Sequence, residues 1–92
     1  MRESALTVGE IYERTRKVLA KDLHMEEEKI TLETRLDQLI YDMGEILEIF
    51  LFLLPIEELF SICFERNEVD KLVEDENVEL KDVVEMVKVK LA

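Results

Sequence analysis

Glu45-Ile46-Leu47-Glu48-Ile49-Phe50-Leu51-Phe52-Leu53-Leu54-Pro55-Ile56-Glu57-Glu58-Leu59-Phe60 is the stretch on which the reading of this chain turns. Leu47, Phe50, Leu53, Ile56 and Phe60 recur near a helical period and are expected to form the inward stripe of a helix. Ile49, Leu51, Phe52 and Leu54 are apolar as well, so the helix is hydrophobic almost all round for two turns. A helix of that kind is buried or carries an interface. Pro55 removes the hydrogen bond to the Leu51 carbonyl and predicts a kink or a split. The longest apolar run, Ile49 to Ile56, is far short of the ~20 residues of a membrane span.

Outward from this helix the pattern stays helical. Its start is expected between Asp42 and Glu45. Upstream, Thr7-Val8-Gly9-Glu10 is a capping box: the Thr7 hydroxyl accepts from the Glu10 N–H and the Glu10 carboxylate reaches back. Val8, Ile11, Tyr12, Thr15, Val18, Leu19 and Leu23 then follow one face of a first helix. His24 to Leu39 has no sustained period. It reads as a long loop pinned by Met25, Ile30, Leu32, Leu36 and Leu39, with room for one short turn near Leu36 to Ile40. Downstream, Glu65 to Leu72 predicts one or two turns with Val69 and Leu72 inward, and Val73 to Asn77 an acidic loop. Leu80, Val83, Val84, Val87 and Leu91 predict a last helix, with acids in its first turn and lysines at its end, both favourable to its dipole. The expectation is an all-α domain of three main helices and one short helix.

Composition limits function. The 92 residues hold 23 acids and 12 Lys or Arg, a net charge of −11, and 48% are hydrophobic. At ~100–200 residues per domain this is one domain, with its core over about residues 7–91. Residues 36–80 account for that charge by themselves, with thirteen acids against Arg66 and Lys71. The balance argues against unaided binding to nucleic acid or an anionic membrane, which need cations to neutralise phosphate. Two Gly and one Pro disfavour turn-rich all-β folds. The single Cys63 excludes an internal disulfide framework and fits a reducing compartment. With no targeting segment visible at the N-terminus, the expected setting is soluble and cytoplasmic.

Several segments, in order, resemble the acyl carrier protein family. Leu23 to Thr31 resembles its L-G-V-x-x-x-x-V/I-T segment, and Asp42-Met43-Gly44 the D-L-G before its second helix. Ile56-Glu57-Glu58-Leu59-Phe60 resembles the L-E-E-E-F that ends that helix. Asn77 to Val87 resembles the closing T-V-x-D-L-V-x-Y-I helix. The similarity runs from about Thr7 to Leu91 and implies an acyl-carrier-like four-helix bundle with a long first loop.

The resemblance breaks at the D-S-L motif, whose serine carries the family's phosphopantetheine cofactor. Alignment puts Ile46 or Glu45 at the serine position, and neither has a hydroxyl. Ser4 and Ser61 precede the first helix and follow the second. The resemblance therefore implies the fold without the prosthetic group. It also implies that Glu45, Glu48, Glu57 and Glu58 present acid to a basic patch on a protein partner, such as a fatty-acid or polyketide pathway enzyme. Leu51, Phe52 and Leu54 replace residues expected to be polar or small and are expected to form an exposed contact patch. The expected function is a non-enzymatic docking module. The alternatives are a working carrier with its attachment residue elsewhere, and a plain helical homodimer.

The remaining candidates have simpler readings. His24 stands at the family's glycine position as a loop residue. Cys63 reads as a small buried apolar residue, with no basic neighbour in sequence to activate it. Glu26-Glu27-Glu28 and Glu74-Asp75-Glu76 read as solvated loops without the spacing of a calcium site. The methionines read as gap fillers. No zinc, P-loop, paired-carboxylate or triad pattern is present, so no enzyme is expected.

Overall fold

The computed structural model describes residues 6–75 and 77–91. Its elements are four helices: α1 (Val8–Leu23), α2 (Ile46–Phe60), α3 (Arg66–Glu74) and α4 (Leu80–Leu91). Two short 3-10 turns, Glu27–Lys29 and Leu36–Gln38, interrupt the long connection from α1 to α2. No strand occurs among the described residues, whose only extended pairing is an isolated bridge between Arg35 and Glu79. The domain is an all-α bundle in which α1 packs on α4 and α2, and α2 packs on α3.

Each helix forms for a local reason. Thr7 and Glu10 close the capping box on α1, with the Thr7 N–H donating to Glu10 Oε1 at 2.8 Å and the Glu10 N–H to Thr7 Oγ1 at 3.1 Å. The Thr7 amide holds the Glu10 carboxyl below its ordinary pKa range. α1 ends at His24, which takes a left-handed conformation (φ 58°). The Met25 N–H turns back to the Ala20 carbonyl at 2.9 Å, which also accepts from the His24 N–H. α2 ends the same way, with Ser61 left-handed and the Ile62 N–H on the Glu57 carbonyl at 3.0 Å. α3 is capped by Glu65 and Glu68. Glu68 also meets Lys90 of α4 at 2.9 Å. Partial burial pushes the Glu68 carboxyl up, but the Glu65 amide and Lys90 outweigh it and leave it lowered.

The long connection is pinned by backbone. The amides of Leu80 and Lys81 open α4 and have no partner within it. They donate to the carbonyls of Thr34 (2.8 Å) and Leu32 (2.9 Å). The Leu36 N–H answers with a bond to the Val78 carbonyl at 2.9 Å. Tyr12 of α1 donates its hydroxyl to the Ile30 carbonyl at 2.8 Å. Between these ties Ile30, Leu36, Leu39 and Ile40 enter the core, while Met25 and Leu32 pack on its margin.

The core corrects several expectations. The inward side of α2 is Ile49, Phe52, Leu53, Ile56 and Phe60, while Leu47 and Phe50 lie outside it. A spacing of three residues loses about 60° per step, so Leu47 and Ile56 end up on opposite sides of the helix. Pro55 does not split α2, which runs unbroken through it. The carbonyl it deprives belongs to Leu51, an exposed residue on the side of α2 away from the core, where a missing helical hydrogen bond costs least. Cys63 is exposed rather than buried, because Ile62 and Phe64 turn inward on either side of it. Val73 and Glu74 finish α3 instead of starting the acidic loop. Val8 is exposed, and Ala20 takes a core place on α1. Val69, Leu72, Leu80, Val83, Val84 and Val87 are buried as their spacing predicts. Ser4 and Glu76 lie outside the described residues.

Thr15 of α1 is fully buried, and its hydroxyl has no hydrogen-bond partner. A buried, unsatisfied hydroxyl costs stability that an isosteric methyl recovers. Thr15→Val is expected to raise the unfolding free energy by about 1 kcal/mol, read by urea denaturation.

Candidate interaction surface

The side of α2 opposite the core carries a second apolar stripe. Leu47 (62% exposed), Phe50 (36%), Leu51 (54%) and Leu54 (45%) stand at i, i+3, i+4 and i+7. At 100° per residue they centre about 180° from the buried set. Phe52 was expected on the exposed patch and is 5% exposed. It lies three residues after Ile49 and four before Ile56, which puts it on their side. Of the expected apolar patch, Leu51 and Leu54 face solvent, and Leu47 and Phe50 join them. Helical spacing contained this division, but a helix apolar on all sides gives no polar residue to mark which stripe faces out.

Acids frame the stripe. Glu45 is the exposed N-cap residue of α2, and Glu58 is exposed beyond Leu54 at the other end. Glu48 and Glu57 flank the stripe on opposite edges, each half-buried. Glu57 also has a structural bond: its Oε2 accepts from the Phe64 N–H at 2.7 Å and ties the following linker to α2. No Lys, Arg or His occurs from residue 36 to residue 65, which holds seven acids. Lys21 of α1 borders this side, sharing a shallow recess with Glu58 and Pro55.

The approach to α2 adds an aromatic residue that was not anticipated. Tyr41 is 95% exposed. It lies with Glu48 and Leu51 around a second shallow recess that Asp22 of α1 also lines. Next comes the turn Asp42–Glu45, in which Asp42 Oδ1 accepts from the Gly44 N–H at 2.9 Å and the Asp42 carbonyl from the Glu45 N–H at 3.1 Å. An apolar helix preceded by a lone tyrosine in a loop was the available signal for it.

Ile46, the alternative serine position, is the first residue of α2 and packs against the core margin. The Ser61 hydroxyl stands at the far end of the helix. The hydroxyl nearest in sequence to the start of α2 is the Tyr41 phenol. Among the described residues no group of three or more His, Cys, Asp or Glu side chains is arranged to hold a metal ion. No helix among them is long and apolar enough to cross a membrane. The chain matches no family model.

The two sides of α2 should respond differently to substitution. Leu54→Glu is expected to lower the unfolding free energy by no more than about 1 kcal/mol, since Leu54 is half-exposed outside the core and the new charge meets only Glu57 and Glu58 one turn on. Leu53→Ala is expected to cost about 2–5 kcal/mol, because it opens a cavity in the core. Thermal and chemical denaturation of the two variants reads the difference.

Proposed function

We propose that this chain is a non-enzymatic, acyl-carrier-like interaction module that docks a protein partner through α2 and carries no phosphopantetheine. The observation that carries this reading is the outward apolar stripe of α2 with its frame of glutamates. On a small domain, a contiguous exposed apolar patch rimmed by charge marks a contact surface. Burying a fully exposed Leu or Phe contributes about 1.5–3 kcal/mol, and these four side chains, each with about a third to two thirds of its surface left to cover, would supply a corresponding fraction of that each. The acids around them steer a basic surface toward the stripe and repel acidic ones.

The carrier-like part rests on other support. The order of elements, a long pinned connection and then a helix framed by acids, agrees with the resemblance in the sequence. His24, at the position the family gives to glycine, adopts the left-handed conformation that glycine adopts at no steric cost. The start of α2 does not fit the prosthetic group. A phosphoester needs a hydroxyl, and Glu45 and Ile46 offer a carboxylate and a hydrocarbon. The proposed partner is a protein with a basic patch, for which a fatty-acid or polyketide pathway enzyme is the family's precedent.

Co-expression with a broad-specificity phosphopantetheinyl transferase, followed by intact-mass measurement, tests the carrier question. The chain is expected to keep its unmodified mass. A gain of one phosphopantetheine would establish the working-carrier alternative, and peptide mapping would then locate the attachment.

A further inference from the structure

We infer that the occupant of the outer face of α2 is a single amphipathic helix, apolar along one side and flanked by Lys or Arg. This rests on the docking role proposed for α2 and specifies the partner. Leu47, Phe50, Leu51 and Leu54 have the i, i+3, i+4, i+7 spacing of one side of a helix–helix seam. The stripe is about 10 Å long and one side chain wide, bounded by Glu48 and Pro55 on one edge and Glu57 on the other. A strip of that shape meshes with the ridge of another helix and offers little to a flat surface. The inner side of α2 is already committed to the core, so this seam is additional to the fold.

Charge decides between a foreign helix and a second copy. A parallel pair of α2 helices would set each glutamate beside its own kind. An antiparallel pair would set Glu58 of one copy against Asp42, Glu45 and Glu48 of the other. With no cation from residue 36 to residue 65, and Lys21 beside Glu58 as the offset at one end, both arrangements oppose like charges. A basic helix meets the same acids favourably in either direction. Tyr41 stands beside the seam, on the flank where it shares a recess with Glu48 and Leu51, with an exposed aromatic ring, a side-chain type that anchors interfaces and accepts cations on its face.

A designed peptide of about five helical turns, with Leu at the matching spacing and Lys on both flanks, tests this by fluorescence anisotropy. Its counterpart carries Glu in place of Lys. The Lys peptide is expected to bind saturably, and the Glu peptide at least about tenfold more weakly. Leu51→Glu and Leu54→Glu, checked as folded by circular dichroism, are each expected to weaken the Lys peptide at least about tenfold. Tyr41→Ala is expected to weaken it severalfold. Equal affinity for the two peptides, no saturable binding, or indifference to Leu51→Glu would overturn the inference. So would a dimer in sedimentation that Leu51→Glu abolishes, because the occupant would then be a second copy. The mass measurement and this titration fail separately: an added phosphopantetheine leaves the peptide affinities in place, and a Leu51-dependent dimer leaves the mass unchanged.

Discussion

The amides of Leu80 and Lys81 face the long connection between α1 and α2, and they bind it by the carbonyls of Thr34 and Leu32. A helix start without such acceptors leaves donors that must find water or a cap. Here they are satisfied by the α1–α2 connection, and the Leu36 amide returns the bond to Val78. One set of backbone bonds thus caps α4 and fixes the connection across it. Ile30, Leu36, Leu39 and Ile40 can then fill the core, and α2 enters the bundle at a set position. Everything proposed for α2 depends on that placement, because it decides which side of an all-round apolar helix is left to solvent.

The consequence is a helix with two apolar sides and one core. Ile49, Phe52, Leu53, Ile56 and Phe60 are taken up by the bundle, while Leu47, Phe50, Leu51 and Leu54 are not. Apolar surface left in water invites association, and the uniform acidity from residue 36 to residue 65 opposes association between copies. Stripe and frame together favour one kind of contact over another. Under the proposed docking role, the seven acids from residue 36 to residue 65 would act partly as a specificity device.

Much of the fold was legible in the residues, and the failures have physical causes. The Thr7–Glu10 box, the inward Val69 and Leu72, and the valine stripe of α4 were readable because polar and apolar residues alternate there with the helix period. α2 lacked that contrast. A three-residue spacing drifts across its surface, so it points Phe52 outward and Leu47 and Phe50 inward, the reverse of their places in the structure. Pro55 signals a break that the helix does not show, and the carbonyl it frees belongs to the exposed residue Leu51. Cys63 departs from its expected burial because its linker is extended and alternates sides, which one small residue does not reveal. The ties between Thr34, Leu32 and α4 had no signature at all, because they join backbone groups that every residue carries. The glutamates of the candidate site were legible from their positions, although the Glu57 bond to Phe64 was not.

The central claim is that α2 turns Leu47, Leu51 and Leu54 to solvent in the free chain while Leu53 stays in the core. Methyl NMR of a dilute sample with a soluble paramagnetic probe tests it directly. The account predicts strong relaxation of the Leu47, Leu51 and Leu54 methyls, and near silence from those of Leu53, Leu36 and Leu80. Equal protection of Leu51 and Leu53 would contradict it.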